Sequence, residues 1–100
     1  MPPFKLSGKA KSDLKNIARY TQQNWGREQR NIYLKQMDET FHTLADSPSL
    51  GIASDYIKPS YRKFPQGSHI IYYREGTVVK IEIIRILHKN MDAELNFGAP

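Results

Sequence analysis

The chain contains no cysteine. Disulfides and thiolate metal sites are therefore excluded, and a reducing cytoplasm is the natural compartment. Its three histidines, His42, His69 and His88, do not fall into a metal-ligand spacing with the acidic residues, so neither a metal nor a cofactor is expected. No apolar run is long enough to cross a bilayer, and Met1–Lys5 lacks the apolar segment of a signal peptide, so no membrane partner is expected. Negative charge is scarce in one region only. Residues 56–90 hold 7 Lys/Arg against 2 Asp/Glu, while residues 1–55 hold 8 against 6 and the last ten residues none against 2. A local excess of one sign attracts acidic partners: nucleic acid, an anionic surface or an acidic polypeptide.

What is present describes a small globular chain. With 39% hydrophobic and 25% charged residues, intrinsic disorder is rejected. The 100 residues allow one domain, spanning 1–100, which buries roughly 60–70% of its unfolded surface.

The first half reads as a helical hairpin. Ser7 is a candidate N-cap, followed by Ala10, Leu14, Ile17, Ala18, Thr21 and Trp25 at helical spacing. Gly26 stops this helix as a left-handed terminal residue would. A second helix presents Tyr33, Met37, Phe41, Leu44 and Ala45 on one face and ends before Pro48. So short a connection makes the helices antiparallel neighbours. Trp25, Tyr33, Met37 and Phe41 are read as a core stripe rather than a ligand box.

The second half alternates as strands do. Residues 48–60 read as a loop, followed by Tyr61–Phe64, a turn at 65–67, a strand at 69–74, a turn at 75–77 and one long strand from Val78. Val79, Ile81 and Ile83 share a face with Lys80 and Glu82 opposite, but the alternation fails at Ile84. Apolar residues on both faces predict that both are covered, or that one awaits a partner. Phe4–Leu6 is a candidate edge strand. The expected fold is α+β: a short N-terminal strand and a two-helix antiparallel hairpin packed on one face of a three- to four-stranded antiparallel sheet.

Four blocks carry a family resemblance: Leu14–Tyr20, Leu44–Gly51 (Leu-Ala-x-x-Pro-x-x-Gly), Tyr61–Tyr73 (Tyr-Arg-x-Phe-Pro-x-Gly-x-His-Ile-Ile-Tyr-Tyr) and Ile81–Asp92. In this order they resemble the ParE branch of the RelE/ParE toxins over nearly the whole chain. The resemblance implies the toxin of a type II toxin–antitoxin pair, a ParD-like antitoxin with a disordered tail as partner, and DNA gyrase as target. DNA would then be met only through antitoxin or gyrase.

The related RelE branch cleaves messenger RNA on the ribosome, a task that needs clustered cations and a proton carrier. Candidates exist in Lys58, Arg62, Lys63, Arg74, Arg85, His88 and Lys89, but residues 90–100 hold no Lys, Arg, His or Tyr. Binding rather than catalysis is therefore expected, with RNA cleavage as the alternative. Arg85, His88, Lys89 and Met91 are the expected target-facing residues, Arg85 with a second reading as a buried, paired side chain. His88 is read either as a functional group or as a strand cap bonded to backbone or Asp92. Lys58, Arg62 and Arg74 are expected to dock antitoxin acids, and Ile84, Ile86 and Leu87 to receive its apolar anchors. The basic-aromatic block of Tyr56, Lys58, Tyr61–Lys63 and Tyr72–Arg74 also fits single-stranded nucleic acid, although alternation sends half of it into the core. His42 is expected to face solvent and His69 to pack at the start of its strand.

Overall fold

The computed structural model describes residues 3–91 and 93–97. β1 (Phe4–Leu6) leads into α1 (Gly8–Trp25) and α2 (Arg27–Asp46), and a 3₁₀ turn follows at Pro48–Leu50. Then come β2 (Ile52–Ala53), β3 (Arg62–Gln66), β4 (His69–Glu75), β5 (Ile81–His88) and a one-turn helix α3 (Ala93–Asn96).

The helix ends follow from single residues. The Ser7 hydroxyl oxygen accepts the Ala10 N–H at 3.0 Å, and the hydroxyl donates to the Ile84 carbonyl at 2.7 Å. One residue thus caps α1 and ties it to the last strand. Gly26 serves both helices: its N–H donates to the Gln22 carbonyl, and its own carbonyl accepts the Arg30 N–H. Its φ is 93°, positive as expected, but ψ is 169°, so the backbone is not in the left-handed helical region. Glycine is the residue that tolerates such a φ.

The sheet has five strands in the order β1-β5-β4-β3-β2 and is mixed rather than wholly antiparallel, because β1 pairs parallel to β5. β2 lies inside what the sequence presented as a loop; two residues carry no alternation to read. Pro65 belongs to β3 instead of a turn, and Gly67-Ser68 makes the reversal before His69. β5 starts three residues later than expected. The Gly76 N–H bonds the Lys80 carbonyl, closing a loop that leaves Val78 exposed.

The failed alternation in β5 is a β-bulge. Tyr72 pairs with Arg85 and Tyr73 with Ile83, so Ile84 has no opposite residue and the face parity flips there. Ile81, Ile83 and Ile86 consequently all reach the helix-covered core, with Ile71 and Tyr73 from β4, Ala10 and Ile17 from α1, and Met37, Phe41, Leu44 and Ala45 from α2. On the opposite face, Phe97 lays its ring edge-on to Tyr72 (5.1 Å) and Tyr61 (5.8 Å), so the chain covers part of that face itself. Gly51 explains the glycine of the Leu-Ala-x-x-Pro-x-x-Gly block. A Cβ there would collide with the Tyr73 hydroxyl, which accepts the Gly51 N–H at 2.8 Å and donates to the Pro48 carbonyl at 2.6 Å.

Candidate functional site

The expected contact residues divide into free and committed groups. Arg85 is committed. Its Nε and Nη2 donate to the Asp13 carboxylate at 2.9 and 3.0 Å, and its Nη1 donates to the Asn96 carbonyl at 2.7 Å. Asp13 also accepts the Ile86 N–H at 2.9 Å, a strand-edge amide that β1 is too short to reach. The pair is largely enclosed, at 15% and 12% side-chain exposure, and the carboxylate pushes the guanidinium pKa further up. Arg85 is therefore a structural tie and not a target-facing residue. Ile86 and Leu87 are each 2% exposed, so the apolar surface expected there for an antitoxin is already covered. Ile84, at the bulge, is half-buried.

Of the remaining cations, Arg62 donates from Nη1 to the Gly51 carbonyl at 2.8 Å, and Arg74 lies 3.5 Å from Glu82 on the exposed surface. Lys58 is exposed. Lys63 donates to the Tyr56 hydroxyl at 3.0 Å, which raises its pKa. Arg62 lies in the cross-strand row of Tyr73 and Ile83 and belongs to the helix-covered face, whereas Lys63 shares the other face with Tyr72 and Arg85. The cations do not converge on one point. Lys89 and Met91 are exposed, as expected, Met91 at 52%. Asp92, offered as a partner for His88, lies outside the described residues; the His88 Nδ1 instead accepts the Asn90 N–H at 3.2 Å.

The structure assembles a cluster that the sequence did not reveal. At the end of the sheet beneath the hairpin tip, His69 and His88 are cross-strand partners with ring centroids 5.5 Å apart. Tyr33 reaches down from α2. Its hydroxyl lies 2.7 Å from the His69 Nδ1, donates to the Gln66 carbonyl at 2.9 Å and accepts the Ser68 N–H at 3.2 Å. Since the hydroxyl has one proton, this arrangement makes the His69 Nδ1 the donor and leaves its Nε2 an acceptor. Desolvation, reinforced by His88 and opposed by Asp13, lowers the His69 pKa. Burial raises that of Tyr33, against the Ser68 amide. These groups line an open cavity of about 680 Å³ with Tyr20, Thr21, Trp25, Gln29 and Ser68. Trp25, expected in the core, is 71% exposed and Tyr20 62%, because this end of the hairpin overhangs the sheet. A smaller cavity of about 180 Å³ joins Tyr20, His69 and His88 to Met91. A separate apolar groove of about 390 Å³ runs between β1 and the two helices, lined by Phe4, Leu6, Leu14, Ala18, Leu34, Met37 and Phe41 with Lys15 and Asp38 beside them.

The family described as "ParE toxin of type II toxin-antitoxin system, parDE" matches residues 4–93, from the first strand into the one-turn helix. The chain belongs to the ParE toxin family. Toxin ParE1 of Caulobacter vibrioides is 39% identical over 98 residues, covering 98% of this chain and 100% of the relative. Toxin ParE1 of Mycobacterium tuberculosis is 38% identical over 96 residues, covering 93% and 95% respectively. The fold is similar to that of a solved chain described as the chromosomal ParDE TA system from P. aeruginosa, with a TM-score of 0.71, 22% identity and coverage of 88% of this chain and 96% of that one.

This ParE-family toxin thus has the helix-hairpin-on-sheet architecture that its sequence pattern implied, with two more pairings than were legible. Among the described residues no group of three or more His, Cys, Asp or Glu could hold a metal ion, and no helix is long and apolar enough to cross a membrane. The signal that could have located the cluster is register. Once residues 76–80 are accepted as the loop that sets Glu75 opposite Ile81, and Ile84 as a bulge, His69 and His88 must face one another.

Proposed function

We infer that the chain is a cytoplasmic toxin that arrests bacterial growth by binding DNA gyrase, and that a ParD-like antitoxin neutralises it. The supporting observation is the disposition of its cations. Cleaving RNA would require several to converge on one phosphate beside a proton carrier. Here Arg85 is neutralised by Asp13, Arg62 is turned to the Gly51 carbonyl on the opposite face from Lys63, and Arg74 sits by Glu82. Just beyond β5, Lys89 and Met91 stand exposed, which suits contact with a protein: one a point charge, the other an adaptable apolar side chain.

The antitoxin reading shifts from the sheet to the hairpin. Ile86 and Leu87 are closed, so apolar anchors go to the groove of Phe4, Leu6, Leu14 and Met37, while the exposed Lys58, and Arg74 by exchanging its exposed 3.5 Å contact with Glu82, serve antitoxin acids and Ile84 contributes its half-open side. A tail that orders on this groove requires a large apolar interface to offset its ordering cost. The deciding experiment incubates the purified chain with gyrase and supercoilable DNA, and separately with translating ribosomes. Loss of supercoiling with accumulation of cleaved DNA is expected; messenger RNA cleavage without an effect on gyrase would refute the reading.

A further inference from the structure

The eight residues lining the large cavity at the hairpin tip include three phenol or indole rings and two imidazoles, but no Lys, Arg, Asp or Glu. Recognition surfaces have this composition at their centre: charged residues are depleted, and Tyr and Trp supply rigid contact area at low entropic cost beside adaptable polar groups. Trp25 and Tyr20 stand free of the core and are the residue types that dominate binding energy at interfaces.

The charges that neighbour these lining residues in the sequence are largely of one sign. Between residues 19 and 33 the chain carries Arg19, Arg27 and Arg30 against Glu28 alone, and Lys89 follows the His88 wall. Arg19, Arg27 and Lys89 are exposed, and their charged groups make no ion pair among the described residues. The polar groups inside add a further constraint. The His88 Nδ1 accepts from Asn90, which leaves its Nε2–H as a donor, while the His69 Nε2 is left as an acceptor by the Tyr33 bond. A donor and an acceptor on two rings that meet edge to face match the C=O and N–H of an extended peptide. A nucleotide fits less well, because the neutral walls place no cation against a phosphate.

We propose that the hairpin-tip pocket seats an apolar side chain of the toxin's protein target, taken from a segment whose flanking residues are acidic. This deepens the reading of the chain as a gyrase-binding toxin and rests on it. The target surface then runs from Trp25 and Tyr20 across His88 to Met91, which the smaller cavity joins to Tyr20.

Trp25→Ala and Gln29→Glu test the proposal, since both positions are exposed and neither touches the core. Each variant is first checked for an unchanged urea midpoint, then assayed for inhibition of gyrase supercoiling and for neutralisation by a ParD antitoxin. The expected result is at least a tenfold loss of inhibition for Trp25→Ala, a similar loss for Gln29→Glu from repulsion of the acidic flank, and a smaller loss for Gln29→Lys than for Gln29→Glu. Wild-type inhibition by Trp25→Ala overturns the proposal. So does a variant that inhibits gyrase normally but escapes the antitoxin, which would make the pocket the antitoxin's. If the unaltered chain leaves gyrase untouched, the gyrase reading fails separately, and growth arrest on induction decides the pocket. Arrest lost in Trp25→Ala then supports a different protein target there, and arrest retained overturns it. Competition by a single-stranded oligonucleotide for the pocket would also overturn it.

Discussion

Replacing Asp13 by Ala should be the most damaging single surface-proximal change in this toxin. The carboxylate accepts three N–H groups: two from the Arg85 guanidinium and the Ile86 backbone amide. Removing it leaves a mostly enclosed cation and a strand-edge amide without partners. Breaking a fully buried pair from one side costs roughly 3–5 kcal/mol. Both side chains retain some water contact, at 15% and 12% exposure, so the lower end, about 3 kcal/mol, is expected here. A domain of this size has a total stability of about 5–15 kcal/mol. The melting temperature should fall by roughly 12–24 °C at about 4–8 °C per kcal/mol. Arg85→Met should cost less, because the carboxylate left behind keeps the Ile86 N–H and reaches solvent. The double variant should lie close to Arg85→Met alone. Urea unfolding followed by circular dichroism supplies all three values. If Asp13→Ala costs less than about 1 kcal/mol, or the cycle shows no coupling, the pair is not the tie between α1 and β5 that its geometry indicates.

Tyr73→Phe removes the hydroxyl that bridges Gly51 and Pro48 and should cost about 1–3 kcal/mol by urea unfolding, since both backbone groups lose their partner. The lowered His69 pKa means that the unfolded chain takes up a proton first as the pH falls. Stability should therefore be complete above the ordinary histidine value of about 6.5 and decline below it, and His69→Gln should flatten that part of a melting-temperature profile. His88→Gln keeps an N–H donor at the pocket wall and should leave gyrase inhibition within a few fold, whereas loss of a general base costs on the order of 10²–10⁴ in rate, so an RNA cleavage activity abolished in a folded variant would favour catalysis. Ending the chain at Lys89 removes Phe97 from Tyr61 and Tyr72 and should lower stability by about 1–3 kcal/mol, measurable by urea unfolding.

The parts of the fold legible in the sequence were those with a sustained period. Ala10, Ile17, Met37, Phe41 and Leu44 recur at helical spacing and are buried, and the β3–β4–β5 meander shows in its alternation and turns. What escaped had too few residues to show a period or depended on distant pairing. β2 is two residues long, the parallel partner of β1 lies some 77 positions away, and the bulge at Ile84 shows only as broken alternation. Trp25 follows the apolar spacing of α1 faithfully, yet spacing cannot tell where the sheet beneath a helix ends. The expected site fared likewise. Lys89 and Met91 are exposed as residue type predicts, while the commitments of Arg85, Ile86 and Leu87 come from Asp13 and from a parity flip that no single-strand pattern records.

The pairing of the first strand with the last has a consequence for synthesis. Phe4 sits opposite Ile81 and Leu6 opposite Ile83, and Ser7 bonds both Ile83 and Ile84. A nascent chain therefore emerges from the ribosome with its helical hairpin exposed and its N-terminal strand unpaired until Ile81–Ile83 have been made. Such long-range closure is entropically late and slow. The apolar faces of α1 and α2 stay open throughout that interval, and the His69–His88 wall does not exist until β5 is in place. Folding of the hairpin onto the sheet, and with it the surface at the hairpin tip, must therefore wait for the synthesis of β5.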